Sequence, residues 1–176
     1  MVEAWSQGRT FFNSYGPSEA TVCSTMAYHT AGMSVMPIGL PIQNTQAYVL
    51  NDSLQLTPIG VVGELYVSGA HLSYGYLNRP ELNAQVFMAN PFSTDPTSKL
   101  YRTGDLVRRL EDGNLMYIGR ADQQVKIRGV RIELSEIEAA LLQFDWIAEA
   151  IVVARDEPKR LIAYVVPTKG NNTELS

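Results

Sequence analysis

A single cysteine, Cys23, excludes an internal disulfide, and the only two histidines, His29 and His71, stand far apart, so the sequence lacks a Cys- or His-rich metal site. No apolar run approaches the roughly 20 residues that a membrane helix needs. An excess of one charge is missing too: eighteen acidic against fourteen basic residues, interspersed, leave a net charge of -4. No basic face for nucleic acid and no acidic disordered tail is therefore expected. Met1 is followed by Val2, Glu3 and Ala4 rather than by a basic, apolar leader. A soluble cytoplasmic chain without nucleic-acid or membrane partners is the expectation.

What is present is a series of short apolar or β-branched runs separated by Gly, Pro, Asn and Asp. Residues 22–28, 47–50, 64–67, 105–110 and 114–118 read as strands, with Asp112 and Gly113 as a two-residue hairpin turn. Pro80 opens a short helix reaching Phe87, at the position where its missing N–H does no harm. Beyond Arg120 the pattern changes. A strand over 123–127 is followed by Ser135 and Glu138, a capping-box spacing, and by Ile137, Ala140, Leu141 and Phe144 at helical intervals. Two further strands, 147–155 and 161–166, flank Asp156, Glu157 and Pro158 as a hairpin. The fold class is thus α+β, mainly β in its first part. A boundary is expected at Asp122, giving domains 1–121 and 122–176 joined by a hinge of one or two residues.

Four stretches carry a resemblance: NSYGPSEAT (Asn13–Thr21), GELYVSGAHLSYGYLNRPELNAQVF (Gly63–Phe87), YRTGDL (Tyr101–Leu106) and GRADQQVKIRGVRIELSEIE (Gly119–Glu138). In order and spacing they resemble the later core motifs of amino-acid adenylation domains of nonribosomal peptide synthetases, within the AMP-binding superfamily. The resemblance implies the C-terminal part of a large adenylation subdomain followed by an incomplete small α+β domain. It also implies a two-step reaction: an amino acid and ATP give aminoacyl-AMP and pyrophosphate, and the acyl group then passes to the phosphopantetheine thiol of a carrier protein. Neighbouring synthetase domains are the other partners implied.

The residues in these stretches suit that chemistry. The flat ring of Tyr15 offers a base a stacking surface, worth about 1–3 kcal/mol. Glu19 is a hard oxygen ligand of the kind Mg²⁺ takes beside phosphate oxygens, and the Ser18 hydroxyl can donate to a phosphate. The resemblance assigns Asn13, Tyr15, Ser18 and Glu19 to adenine, phosphate and Mg²⁺, with Ser18 standing where the family usually has Thr. A capped turn with Tyr15 in the core is the plain alternative. Asp105 follows Gly104 and can accept both hydroxyls of a vicinal diol such as ribose, or can merely form an Asx turn. Arg120, a fixed cation with fork geometry, belongs near ribose and phosphate in the family; the alternative is a surface ion pair. Tyr117 either walls the nucleotide site or packs in the β core.

Three further groups rest on the resemblance. Asp122 matches the hinge about which the small domain rotates between its adenylating and thiolating poses. Lys126 and Gly129 match the segment that then faces the active site, Gly129 leaving room for the pantetheine arm; an amphipathic edge strand is the alternative. Ser14, Val22 and Cys23 match the wall of the amino-acid pocket, while His29 and His71 receive no role. A glycine-rich phosphate loop with lysine and the family's PNGK-type lysine do not occur in this chain. An interior fragment, inactive alone in amino-acid-dependent pyrophosphate exchange, is expected. An acyl- or aryl-acid:CoA ligase of the same superfamily and a noncatalytic remnant that docks a carrier protein are the alternatives.

Overall fold

The computed structural model describes Ser6 and residues 8–28, 36–122, 125–127, 130–156 and 159–168. Met1–Ala121 and Asp122–Ser176 form two compact units. Both are built mostly from strands with few helices; the first has the mainly β character read from the sequence, and the second sets one helix against strands, as its α+β reading expected.

In the first unit β1 (Phe12–Tyr15), β2 (Thr25–Tyr28) and β3 (Leu40–Pro41) make a small antiparallel sheet. The second sheet contains β4 (Thr45–Leu50), β5 (Val62–Gly69), β6 (Phe87–Ala89), β7 (Lys99–Arg109) and β8 (Leu115–Arg120). Its order is β4-β5-β7, and the far edge of β7 is shared: β6 pairs with Lys99–Tyr101 and β8 with Asp105–Arg109. Alternation along β5 buries Leu65 and Val67 in one apolar cluster with Val49, Val107 and Leu115. Tyr66, on the other side, joins Leu50 and Leu100 in a second. A sheet covered on both faces is a rigid base for anything its strands carry. The two sheets are tied where Ile38 donates to the Leu115 carbonyl and Leu115 to that of Gly39 (2.8 and 3.0 Å). Gly39 has φ +92°, and a Cβ there would lie 2.0 Å from the Met26 carbonyl, so no larger residue fits.

Between β5 and β6 lies α1 (Pro80–Val86), the proline-opened helix expected from the sequence. In the second unit β9 (Val125–Ile127) and β10 (Val130–Ile132) form one hairpin, and α2 (Leu134–Leu141) packs on another made by β11 (Ile147–Asp156) and β12 (Lys159–Pro167).

Several sequence expectations change. The strand expected from Val22 starts at Thr25, because Thr21 and Val22 have positive φ (40° and 56°), which a strand cannot hold. The turn after Leu110 is a three-residue loop: Leu110 donates to the Asn114 carbonyl at 2.8 Å, and Gly113 takes the left-handed position at φ +84°. The helix of the second unit is not opened by a capping box. Glu133 is its N-cap and makes no side-chain cap bond, while the Glu138 carboxylate accepts the Val152 N–H at 2.8 Å. Its inward side is Leu134, Ile137 and Leu141; Ala140 is exposed and Phe144 lies past the helix end.

Candidate nucleotide site

Three of the expected residues meet on the first unit although they are distant in sequence. Tyr15 ends β1, Asp105 lies within β7, and Arg120 ends β8 directly opposite Asp105 in the strand register. The Tyr15 hydroxyl donates a hydrogen bond to Oδ2 of Asp105, and Arg120 Nη1 donates to Oδ1 at 3.0 Å. Both partners of the ion pair are largely buried, so it is not the surface pair the sequence left open. Burial first, and the Asp105 carboxylate second, push the Tyr15 hydroxyl well above its ordinary range. The phenol keeps its proton and serves as a donor. Each carboxylate oxygen has two lone pairs. With one donor on each, the carboxylate is oriented and can still accept from a vicinal diol.

Tyr15 is therefore not simply a core residue, and its hydroxyl has a role that the stacking reading did not include. Beside it, Asn13 Nδ2 donates to the Pro37 carbonyl at 2.8 Å, fixing the amide. Tyr117 is 42 % exposed on β8, which removes the alternative that it packs in the core.

The loop between β1 and β2 carries the remaining expected residues. Ser18 is exposed at the start of a short 3-10 turn, Ser18–Ala20, in which Glu19 is only 7 % exposed. Oε1 of Glu19 accepts a hydrogen bond from the Tyr76 hydroxyl, and its backbone carbonyl accepts from Ser73 at 2.7 Å. Among the described residues no three His, Cys, Asp or Glu side chains gather as a metal cage. Mg²⁺ needs no such cage: it is typically held by one or two carboxylates together with phosphate oxygens and water. One ordered carboxylate, Glu19, fits that donor set.

Ser14 and Cys23 touch, the hydroxyl donating to Sγ at 3.0 Å, so two of the three expected pocket residues are neighbours. Val22 is 81 % exposed on the same loop. Consecutive β-branched residues in the left-handed region cost on the order of 1–3 kcal/mol each. The loop is held in that form by the Ser24 N–H on the Tyr15 carbonyl (2.7 Å) and by the buried Ala20.

Two residues without a role in the sequence reading are tied into this region. Tyr76 reaches Glu19 across 57 positions, and its own backbone is clamped by both ends of the Asn83 amide (2.7 and 2.9 Å) from α1. His71 lies between Ser24 (3.2 Å) and Thr45 (3.5 Å), and burial lowers its pKa. No local spacing announces either contact. A separate cavity of about 760 Å³, lined among others by Ser68, Asn83 and Lys99, includes none of Tyr15, Asp105 or Arg120.

In the second unit Asp122 is exposed and is that unit's first residue. Lys126 is the middle residue of β9, paired with Arg131 of β10. Gly129 and His29 lie outside the described residues.

The family model for AMP-binding enzymes matches residues 1–77, and that for the AMP-binding enzyme C-terminal domain matches residues 136–176. A linear gramicidin synthase protein of Brevibacillus parabrevis is 56% identical over 169 residues, which cover 94% of this chain and 3% of that protein. Bacitracin synthase 3 of Bacillus licheniformis is 50% identical over 180 residues, covering 100% of this chain and 3% of the relative. Among solved structures, IdnL1 superposes with a TM-score of 0.82 at 30% identity, over 98% of this chain and 37% of its own. A nonribosomal peptide synthetase protein containing adenylation and PCP domains gives 0.82 at 28% identity, over 94% and 34%. The chain thus spans about 3% of the length of these two curated relatives. Among the described residues no helix is long and apolar enough to cross a membrane.

Proposed function

Since the chain belongs to the AMP-binding enzyme family, we propose that it contributes to an ATP-dependent ligase that activates an amino acid as aminoacyl-AMP and loads it on a carrier protein. The observation that carries this reading is the Asp105 carboxylate held between the Tyr15 hydroxyl and the Arg120 guanidinium. In it, Asp105 accepts the two ribose hydroxyls, Tyr15 presents its ring to the base, and Asn13 and Tyr117 border the nucleotide. Arg120 neutralises charge close to the ribose and phosphate. Ser18 donates to a phosphate oxygen. Glu19 holds Mg²⁺, which when bound offsets phosphate charge.

Ser14, Val22 and Cys23 form part of the wall for the amino-acid side chain. Asp122 acts as the hinge, and Lys126 and Gly129 belong to the segment that faces the site when a phosphopantetheine thiol of the carrier protein enters. Neighbouring synthetase domains and cytoplasmic location complete the proposal. Two or three hydrogen bonds and one stacked base do not far exceed the cost of association, about 4 kcal/mol or more, so residues 1–176 alone hold nucleotide weakly and give no pyrophosphate exchange.

The test is a graft. Residues 1–176 replace the matching segment of an active relative, and ATP–pyrophosphate exchange is measured with a panel of amino acids. The expected result is amino-acid-dependent exchange, lowered about 10²-fold in kcat/KM for ATP by Asp105→Ala. Unchanged kinetics in that variant would remove Asp105 from the site, and exchange supported by acids lacking an amine would instead indicate an acyl- or aryl-acid ligase.

A further inference from the structure

The strand that carries Asp105 is out of register beside it. On β5 and β7, Tyr66 pairs with Arg102 and Glu64 with Leu106, so Leu65 alone stands against Thr103, Gly104 and Asp105. Such a bulge re-aims side chains but releases backbone groups that must find other partners. Here they do. The Thr103 hydroxyl donates to the Leu65 carbonyl at 2.7 Å and accepts the Asp105 N–H at 3.0 Å. The Thr103 carbonyl accepts from Arg120 Nη1 at 3.0 Å, and that of Gly104 accepts the Ala121 N–H at 2.8 Å. Gly104 supplies the positive φ, +75°, that the extra residues need.

We propose that Thr103 is a positioning residue for Asp105: its hydroxyl pins the bulge from inside and so sets the direction in which the carboxylate meets the nucleotide sugar. The placement favours this over a packing role. Thr103 is 3 % exposed, and its one oxygen serves a strand on one side and the Asp105 amide on the other. A valine of the same shape fills the volume but leaves a buried carbonyl and a buried amide without partners. A serine keeps both bonds.

The inference rests on the nucleotide-site reading above, so its test has two arms on the full chain, with Thr103→Val and Thr103→Ser compared with the unaltered protein. In the first arm, amide hydrogen exchange at Asp105 is followed by NMR with no nucleotide present. Thr103→Val accelerates it about tenfold or more relative to Val107, and Thr103→Ser leaves it close to the parent value. Equal exchange in the two variants overturns the pin. In the second arm AMP and 2′,3′-dideoxy-AMP are titrated by chemical shift. The parent prefers AMP by about tenfold or more, Thr103→Ser keeps that preference, and Thr103→Val brings the ratio close to one. A parent preference that survives in Thr103→Val overturns the positioning role. A parent with no preference overturns the sugar-binding reading of Asp105 and this role with it, while the first arm still decides the pin. Thermal unfolding of each variant separates these local effects from loss of fold.

Discussion

The two units solve the same packing problem to different depths. In residues 1–121 the middle strands are covered on both faces: Val49, Leu50, Leu65, Val67, Leu100, Val107 and Leu115 are almost completely buried. In residues 122–176 one helix covers one face of a two-stranded hairpin, with Leu134, Ile147 and Val152 inside, while Ile151, Tyr164 and Val166 stay exposed on the other face. The difference bears on chemistry. A side chain anchored to doubly covered strands, as Asp105 is, can be aimed by hydrogen bonds to neighbours that cannot move away. β9 and β10, by contrast, are only three residues long each. The doubly covered unit is the one that carries the residues proposed to hold the nucleotide.

Core truncation gives the largest expected contrast. Leu65→Ala should lower stability by about 2–5 kcal/mol, whereas Ile151→Ala, at a side chain 59 % exposed, should change it by no more than about 0.5 kcal/mol. Urea unfolding of both variants checks this; similar losses would erase the distinction between the units. Next comes Arg120→Ala, which strips the largely buried Asp105 of its cation and the Thr103 carbonyl of its donor. A loss of about 2–4 kcal/mol is expected in the same assay, less than for a fully buried pair. In the second unit Glu138→Ala leaves the buried Val152 N–H without its carboxylate, at a cost of about 1–2 kcal/mol, readable as faster exchange of that amide.

The smallest effect concerns pH. Both histidines of the chain lie in residues 1–121, so a stability change around the ordinary histidine pKa belongs to the first unit. His71 has its folded pKa lowered from 6.5 by burial. Above 6.5 the ring is neutral in both states and nothing is lost. As pH falls through 6.5 the unfolded chain binds the proton more readily, so stability declines until the lowered folded value is passed. Thermal unfolding across that range should show the decline, and His71→Gln should reduce it.

How much of this was legible follows the range of the interactions. Short apolar or β-branched runs set off by turn residues announced β4, β5, β8 and the β11–β12 hairpin, since strand burial and chain reversal both leave local marks in the sequence. β7 was legible only from Asp105 onward: Thr103 and Gly104 look like a turn, and their bulge becomes visible only against Leu65 on a neighbouring strand. β1 was hidden because Asn13 and Ser14 are polar in a strand at the margin of its sheet. The capping-box spacing at Ser135 misled because Glu138 has a stronger use, an N–H from β11. At the site, residue chemistry indicated what Asp105 and Glu19 could do but not who holds them. Arg120 is 15 positions from Asp105, Tyr15 is 90, and Tyr76 is 57 from Glu19. Such pairings are set by the order of strands, which no local spacing encodes.

The carboxylate between Tyr15 and Arg120 is proposed as the seat of a nucleotide sugar. A crystal structure of the chain grown with AMP tests it most directly. Both ribose hydroxyls should lie within hydrogen-bond distance of Asp105, with the adenine against the Tyr15 ring. AMP bound with its diol turned away from Asp105, or seated elsewhere on the protein, would contradict it.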